Sequence, residues 1–227
     1  MGEPTKSKSG GGCFSKLLML ILLAAAFGLG AAIFYAIKPQ DLTDLAVTKP
    51  LPERDMKVVL QNSIDRGYEL TLSEAELNQW LARTLVAKQG GFLEGKVTFD
   101  RVWVRLEDGR AEVIMARKFL GKPFTVSMYL QVEQVEDLKG PLLNIIPSGG
   151  PYLKDFPHPP RGGRFGQLVV PMGFLYLVMP AYEKLPALFS DEIDLAFTKM
   201  SRIRIDKGKL VLDPREPLGH EGMPRTF

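Results

Sequence analysis

Cysteine and histidine are almost absent from this chain, and their scarcity excludes several kinds of chemistry. The sequence has one cysteine, Cys13, and two histidines, His158 and His220. A single cysteine excludes an intrachain disulfide. Neither histidine has a second ligand at the spacing that zinc sites use, so we expect no metal centre and no bound cofactor.

Recognisable catalytic motifs are also missing. The chain contains neither G-x-S-x-G, which presents a hydrolase serine, nor G-x-x-x-x-G-K-[ST], which cradles phosphates. Two acidic pairs, Glu74 with Glu76 and Asp191 with Glu192, lie where helices are predicted to begin, a position that favours carboxylates. A glycosidase pair is the alternative interpretation. The sequence therefore predicts a protein that is not an enzyme.

An excess of charge of one sign is lacking too. The net formal charge is +3, with acidic and basic residues interspersed along the chain. Nucleic-acid-binding domains concentrate Lys and Arg on one face, so this composition argues against a nucleic-acid partner.

One long apolar run, residues 17–37, contains no charged residue. At ~1.5 Å per residue, a helix of this length reaches roughly 30 Å, the thickness of the hydrocarbon core of a bilayer. The run is longer than the core of a secretory signal, and small residues such as Gly28 lie inside it rather than after it. It therefore predicts an uncleaved, single-pass membrane anchor.

Charged residues on either side of this run predict its orientation. Lys6, Lys8 and Lys16 precede it, whereas Lys38 and Lys49 follow it together with Asp41 and Asp44. Because basic flanks stay in the cytoplasm, the N-terminus is predicted to be cytoplasmic and the bulk of the chain extracytoplasmic, at the cell membrane. The chain then divides into a disordered cytoplasmic tail (1–13), the transmembrane anchor (14–37), a stalk (38–54), an extracytoplasmic domain (55–213) and a flexible tail (214–227).

Residues 71–88 of the domain predict a helix. Ser73 and Glu76 form a capping box, in which each side chain satisfies a free backbone N–H group of the first turn. The apolar stripe of this helix consists of Leu77, Trp80, Leu81 and Leu85, whereas Asn78 lies off the stripe.

An antiparallel sheet is predicted to follow. Residues 124–133 alternate strictly, with Val126 and Met128 on a buried face and Thr125, Ser127 and Tyr129 on a solvent-exposed face. Residues 97–106 and 111–117 read as two further strands, joined by a hairpin turn at Asp108-Gly109. A second hairpin is predicted around Gly208. Together these patterns predict an α+β fold: a curved antiparallel sheet with helices packed on one face, preceded by a single N-terminal transmembrane helix.

Residues 168–182 carry no charge and have no polar face in any helical rotation. Such a helix is either buried on all sides or borders apolar material that is not protein. The first interpretation makes the segment core; the second makes it one wall of a lipid groove. The candidate groove residues are Met115, Met128, Leu130, Phe174, Leu177 and Val178.

Two basic groups are candidate contact sites. Arg101, Trp103 and Arg105 alternate along one strand, so they share a face that could meet a partner or lipid headgroups. The alternative is a Trp packed in the interior with arginine stems over it. A second basic set could meet anionic headgroups or form a solvated face; it consists of Arg161, Arg164, Arg202, Arg204, Lys207 and Lys209.

The order of these parts resembles the YpmS-like membrane-anchored bacterial domains of unknown function. The resemblance is carried by TLSEAELNQWLA (71–82), which contains Leu77-Asn78, by GQLVVP (166–171), and by the closing helix and hairpin. It implies a bacterial, surface-facing anchored domain related to lipid-cradling folds, and it carries no catalytic residues. The Pro- and Gly-rich segment 147–166, predicted to be a surface loop, departs from that pattern.

Two functions are expected from these observations. The first is a non-enzymatic binding or scaffolding domain of the cell envelope, with an envelope protein as its partner. The second is a lipid-binding or lipid-handling domain with an apolar groove. A deep apolar cavity would favour the second, and a filled core with an exposed apolar patch would favour the first.

Overall fold

A computed structural model describes residues 12–45, 51–89, 101–119, 122–136, 142–145 and 162–215. The first element is helix α1 (Gly12–Ile37), of which Phe14–Ile37 is long and apolar enough to cross a membrane. Its side chains are exposed along almost the whole length. Most of the predicted tails 1–13 and 214–227 lies outside the described residues, as does most of the predicted loop 147–166. Residues 12 and 13 of the first tail belong to α1.

The rest of the described chain mixes helices and strands. The helices are α2 (Met56–Arg66), α3 (Glu74–Gln89), α4 (Met179–Leu188) and α5 (Ser190–Lys199), with shorter 3₁₀ helices at Thr43–Leu45 and Met172–Leu177. The strands are β1 (Leu70–Ser73), β2 (Arg101–Glu107), β3 (Arg110–Phe119), β4 (Lys122–Leu130), β5 (Glu133–Glu136), β6 (Leu142–Ile145), β7 (Gly163–Phe165), β8 (Leu168–Val170), β9 (Arg202–Asp206) and β10 (Lys209–Asp213).

The strands form antiparallel sheets. One has five strands in the order β2-β3-β4-β7-β8, a second has three in the order β1-β10-β9, and β5 pairs with β6. These sheets, with their helices and the single N-terminal apolar helix, confirm the predicted α+β class. Strand β7 lies within the segment 147–166, which the sequence predicts to be a loop. The sequence does not indicate this strand, because three residues are too few to show a periodic pattern.

Both predicted hairpins are present. Glu107 pairs with Arg110 across the β2–β3 turn, and Gly109 has a φ of +73°. Asp206 pairs with Lys209 across the β9–β10 turn, where Gly208 has a φ of +74°. Glycine is favoured at both turns because a side chain strains a residue with positive φ.

Helix α3 begins as the capping box predicts. The Glu76 backbone N–H donates to Ser73 Oγ at 3.2 Å, and the Ser73 backbone N–H donates to Glu76 Oε2 at 2.9 Å. Asn78, predicted to lie off the packed face, is instead only 1% exposed. Its amide donates to the C=O of Val104 at 2.8 Å and accepts from the N–H of Val104 at 2.7 Å, so it pairs with the edge of β2 as a neighbouring strand would.

Strand β4 of the five-stranded sheet is buried on both faces, which corrects the prediction of a solvent-exposed face there. Thr125, Ser127 and Tyr129 are all buried. The reason is that residues 38–45, predicted as part of a stalk, lie against this face. We call residues 38–45 the juxtamembrane segment; its Leu45 is 3% exposed and packs with Trp103 and Ile114.

Two main apolar clusters fill the domain. The larger lies between α3, α4 and the opposite face of the five-stranded sheet, and includes Leu85, Met115 and Leu175. The other lies between α2 and the three-stranded sheet, and includes Leu60 and Leu72. The domain therefore has two packed cores side by side.

Candidate functional site

An apolar cavity of about 290 Å³ lies where these two cores meet. The five-stranded sheet forms one wall, with Val102, Val113 and Met128 from three successive strands. Leu60 and Leu72 reach it from the second core. For comparison, an engineered cavity of ~150 Å³ lined by similar residues stays dry and binds benzene.

Helices form the opposite wall. Trp80 and Leu81 line the cavity from α3, and Ile193 lines it from α5. Phe189 lies at the junction of α4 and α5, with its ring centroid 4.9 Å from that of Trp80. Pro186 lies inside α4, just before this junction. Because proline removes a helical hydrogen bond, the chain changes direction here more easily than in an uninterrupted helix.

Polar groups are scarce in the cavity wall. Among the described residues that line it, Glu192 is the only charged one. The Tyr182 hydroxyl is engaged elsewhere, 3.1 Å from the C=O of Val113 and 3.0 Å from that of Val126. Burial, followed by the negative charge of Glu112, raises the pKa of Tyr182 well above its usual value, so the hydroxyl stays neutral. The wall therefore offers hydrocarbon contact and almost no hydrogen bonding, which suits an apolar ligand.

The structure separates the six predicted groove residues. Met128 and Leu130 line the cavity. Met115 is buried in the larger core beside it, and Val178 packs partly against that core. Phe174 and Leu177 are instead 55% and 76% exposed, on the outer surface. The cause is the 3₁₀ helix, in which Leu175 is fully buried while its neighbours turn outward.

The strand group Arg101, Trp103 and Arg105 does not form an exposed contact site. Trp103 is 6% exposed beneath the juxtamembrane segment, and the Arg101 guanidinium lies 4.4 Å from the centroid of its ring. Arg105 forms ion pairs with Asp44 and Glu112, each at 3.1 Å. The structure therefore has the alternative arrangement, in which Trp103 is packed in the interior beside the arginine side chains.

Arg105 belongs to a buried polar network centred on Glu112, whose side chain has no exposed surface. Ser127 Oγ donates to Glu112 Oε1 at 2.5 Å, and Arg164 Nε lies 3.5 Å from the same oxygen. Burial disfavours the charge on Arg105, but hydrogen bonds and charge from Asp44, and then from Glu112, raise its pKa. The buried Glu112 carboxylate thus contacts two partly buried guanidinium groups.

This network holds the juxtamembrane segment against the sheet. The Gln40 backbone N–H donates to Thr125 Oγ1 at 2.9 Å, and its side-chain amide donates to Ser127 Oγ at 3.1 Å. Arg105 also donates to the C=O of Asp41 at 3.2 Å. These polar contacts run from Gln40 and Asp41 to the five-stranded sheet.

The β7–β8 turn makes a second contact with α1. The Gln167 backbone N–H donates to the C=O of Tyr35 at 2.9 Å, and its side-chain amide donates to the C=O of Pro39 at 3.3 Å. Gly166 has a φ of +53°, and a Cβ atom there would collide with the carbonyl oxygens of Tyr35, Ala36 and Lys38. The turn thereby satisfies carbonyl groups that a helix C-terminus leaves unpaired.

The second predicted basic set is largely paired within the protein. Arg164 donates to the hydroxyl of Tyr129 at 2.7 Å, in addition to its contact with Glu112. Arg202 pairs with Asp213 at 2.9 Å, and Arg204 pairs with Asp206 at 3.0 Å. Lys207 and Lys209 lie at the β9–β10 hairpin, and Arg161 lies outside the described residues.

Within the described ranges, no group of three or more His, Cys, Asp or Glu side chains is placed to hold a metal ion. A scan against protein-family models, a search of curated proteins and a search of solved structures each found no match. The resemblance to YpmS-like domains therefore stays a prediction, and the functional argument depends on the cavity and its surroundings.

Proposed function

We propose that this protein is a membrane-anchored, extracytoplasmic domain that binds the acyl chain of a lipid. The observation that carries the proposal is the cavity of about 290 Å³ with an almost wholly apolar lining. A cavity that the described side chains leave unfilled, and whose described wall offers few groups to bind water, forgoes dispersion contacts that a hydrocarbon chain would restore. Of the two functions expected from the sequence, the cavity favours lipid binding over scaffolding.

The anchor supports this ligand class. Helix α1 is long and apolar enough to span a bilayer, and the lysines before it favour a cytoplasmic N-terminus. A domain tethered at the membrane surface meets lipid at a high effective concentration, so even a weak acyl-chain site is occupied. Met128 in the sheet wall suits this role, because methionine repacks around chains of variable shape.

The proposal is tested by filling the cavity. Ala196 lines it from α5, so Ala196→Trp places an indole where the ligand would lie. Ala75 is exposed on α3, and Ala75→Trp is the matched control. Cells producing the full chain would be fed a diazirine-bearing fatty acid, irradiated, and the crosslinked peptides mapped by mass spectrometry.

Crosslinks to α1 are expected in every variant, because it contacts bilayer lipid. Crosslinks to the cavity-lining strands and helices are expected in the native chain and in Ala75→Trp, and should be lost in Ala196→Trp. Crosslinks confined to α1 in the native chain would contradict the proposal. Cavity crosslinks that persist unchanged in Ala196→Trp would contradict it as well.

A further inference from the structure

Outside α1, the exposed large apolar side chains of the described residues are concentrated in one short segment. Val169, Phe174, Tyr176 and Leu177 are 63%, 55%, 58% and 76% exposed. The others in the described part of the chain are Val58 on α2 and Tyr68 after it. An exposed apolar group of this kind is typical of an interaction surface, and we call residues 169–177 the docking segment.

The docking segment begins at the end of the predicted membrane-spanning helix. The Gln167 backbone N–H is bonded to the C=O of Tyr35 near the end of α1. Val169 follows Gln167 by two residues, so the Cα atoms of Gln167 and Val169 are at most about 7 Å apart. This distance is comparable with the ~5–8 Å headgroup layer on one side of a bilayer. Strand β8 is also the edge strand of its sheet, so no further strand of the described chain covers it.

The composition of the segment fits the membrane interface. The sequence has no charged residue between Arg164 and Glu183, so no ion must be desolvated when the segment enters the headgroup layer. Tyr176 and Phe174 are exposed aromatic residues of the kind that collect at the interface layer of membrane proteins. On α1 itself, Phe34 and Tyr35 occupy the corresponding position at the helix end.

The 3₁₀ helix Met172–Leu177, which forms most of the docking segment, has one buried side and one exposed side. Leu175 is fully buried in the larger core, while Phe174, Tyr176 and Leu177 point outward. The outward residues are therefore fixed to the domain and do not depend on a loop folding upon contact. Such a surface lies on a bilayer without an ordering cost.

From these observations we infer that residues 169–177 dock the domain on the headgroup layer of the same bilayer that α1 spans. The inference rests on the proposed anchoring, but it is independent of whether the cavity binds lipid. It assigns a second membrane contact to the protein, with phospholipid as the partner. The domain is thereby held against the membrane in one orientation.

The test measures the depth of single labels in the full chain. In a Cys13→Ser background, Leu177→Cys would be labelled with a polarity-sensitive fluorophore and reconstituted into phosphatidylethanolamine–phosphatidylglycerol vesicles. A fraction of the lipids would carry a nitroxide near the headgroup. Val58→Cys is the matched control, because Val58 is also apolar and exposed, and Leu23→Cys on α1 reports the anchoring itself.

The label at position 177 is expected to shift to shorter wavelength and to lose most of its fluorescence to the nitroxide lipids. The label at position 58 should show neither effect. Equal quenching at positions 177 and 58 would overturn the inference. A blue-shifted but unquenched label at 177 would indicate a protein partner or a second copy of the chain, and would overturn it too. A label at position 23 that is not shifted to shorter wavelength would instead overturn the anchoring on which the inference rests.

Discussion

At the scale of single residues, Glu112 has the most consequential environment in the described chain. Its side chain has no exposed surface, and it contacts Ser127 and Arg105 from the two neighbouring strands and Arg164 from β7, one strand further along the sheet. A buried charge with its partners in place is tolerated, whereas one left without them is costly. The network is therefore vulnerable to the loss of any single member.

Glu112→Ala is expected to lower the free energy of unfolding by about 3 kcal/mol, because it leaves two partly buried guanidinium groups without their shared carboxylate. Glu107→Ala is the control: it removes the partly exposed ion pair with Arg110 and should cost less than about 1 kcal/mol. Denaturant unfolding of the full chain in mild detergent measures both. Equal losses of unfolding free energy in the two variants would show that the buried network stabilises the protein no more than an exposed ion pair does.

Asp213 makes the stability depend on pH in the acidic range. Hydrogen bonds from Arg215, assisted by Arg202, lower the pKa of Asp213 from 3.8 to about 2. Since the folded pKa lies below the unfolded one, the stabilisation is complete above about pH 4 and is lost as the pH falls towards 2. Because Arg202 and Arg215 are about half exposed, solvent screens the interaction and the stabilisation amounts to about 1 kcal/mol.

Asp213→Asn should therefore flatten the stability profile between about pH 4 and pH 2, and should lower stability at neutral pH. Thermal unfolding of both proteins across that pH range provides the measurement. If the profile of Asp213→Asn falls as steeply as that of the native chain, other carboxylates control the acid transition.

At the scale of elements, side chains of helix α3 bond to backbone groups of β2 that a neighbouring strand would otherwise pair with. Asn78 pairs with both backbone groups of Val104, and Glu74 accepts from the N–H of Leu106 at 2.6 Å. An uncovered edge strand exposes unpaired backbone groups that invite aggregation. Helix α3 thus protects the β2 edge of the sheet and also supplies Trp80 and Leu81 to the cavity wall.

Asn78→Ala is expected to cost about 2–4 kcal/mol, because both backbone groups of half-buried Val104 lose their partner, and Asn78 itself is only 1% exposed, so water does not replace it. Gln79→Ala provides a close comparison. Gln79 makes the same paired contact with the N–H and C=O of Leu51, but at a partly exposed site where water can replace it. The loss at Gln79 should therefore be smaller. Chemical denaturation reports the two costs, and a larger loss at Gln79 would contradict the assignment.

At the scale of the whole molecule, two contacts join the domain to α1. The β7–β8 turn caps the carbonyl end of the helix, and the juxtamembrane segment is bonded to the sheet through Gln40 and Arg105. Neither contact depends on a flexible tether. These contacts therefore determine how the domain is placed relative to α1.

The proposed topology predicts the accessibility of Cys13, the single cysteine of the chain. A membrane-impermeant maleimide should leave it unlabelled in intact cells and label it after permeabilisation, since the preceding lysines favour the cytoplasmic side. A cysteine introduced at exposed Val58, in a Cys13→Ser background, should react in intact cells. The reverse pattern would place the domain in the cytoplasm.

Local pattern alone determined several features of this protein. The apolar run of α1, the capping box of Ser73 and Glu76, and the hairpins at Gly109 and Gly208 each depend on neighbours within a few residues. For that reason they could be predicted from sequence, and with them the antiparallel α+β class. The alternation of β4 likewise predicted that Val126 and Met128 face the helices.

Only the tertiary structure decided what covers the second face of the sheet and where the cavity lies. Thr125 and Ser127 read as solvent-exposed positions, and Gln40, which bonds to both, lies 85 residues or more away from them in the chain. Phe174 and Leu177 read as groove residues, but the 3₁₀ helix turns them outward while Leu175 turns inward. The cavity itself arises where two cores from distant parts of the chain meet. Such long-range contacts leave no periodic trace in the sequence, because burial depends on which surfaces meet and not on the spacing along one strand or helix.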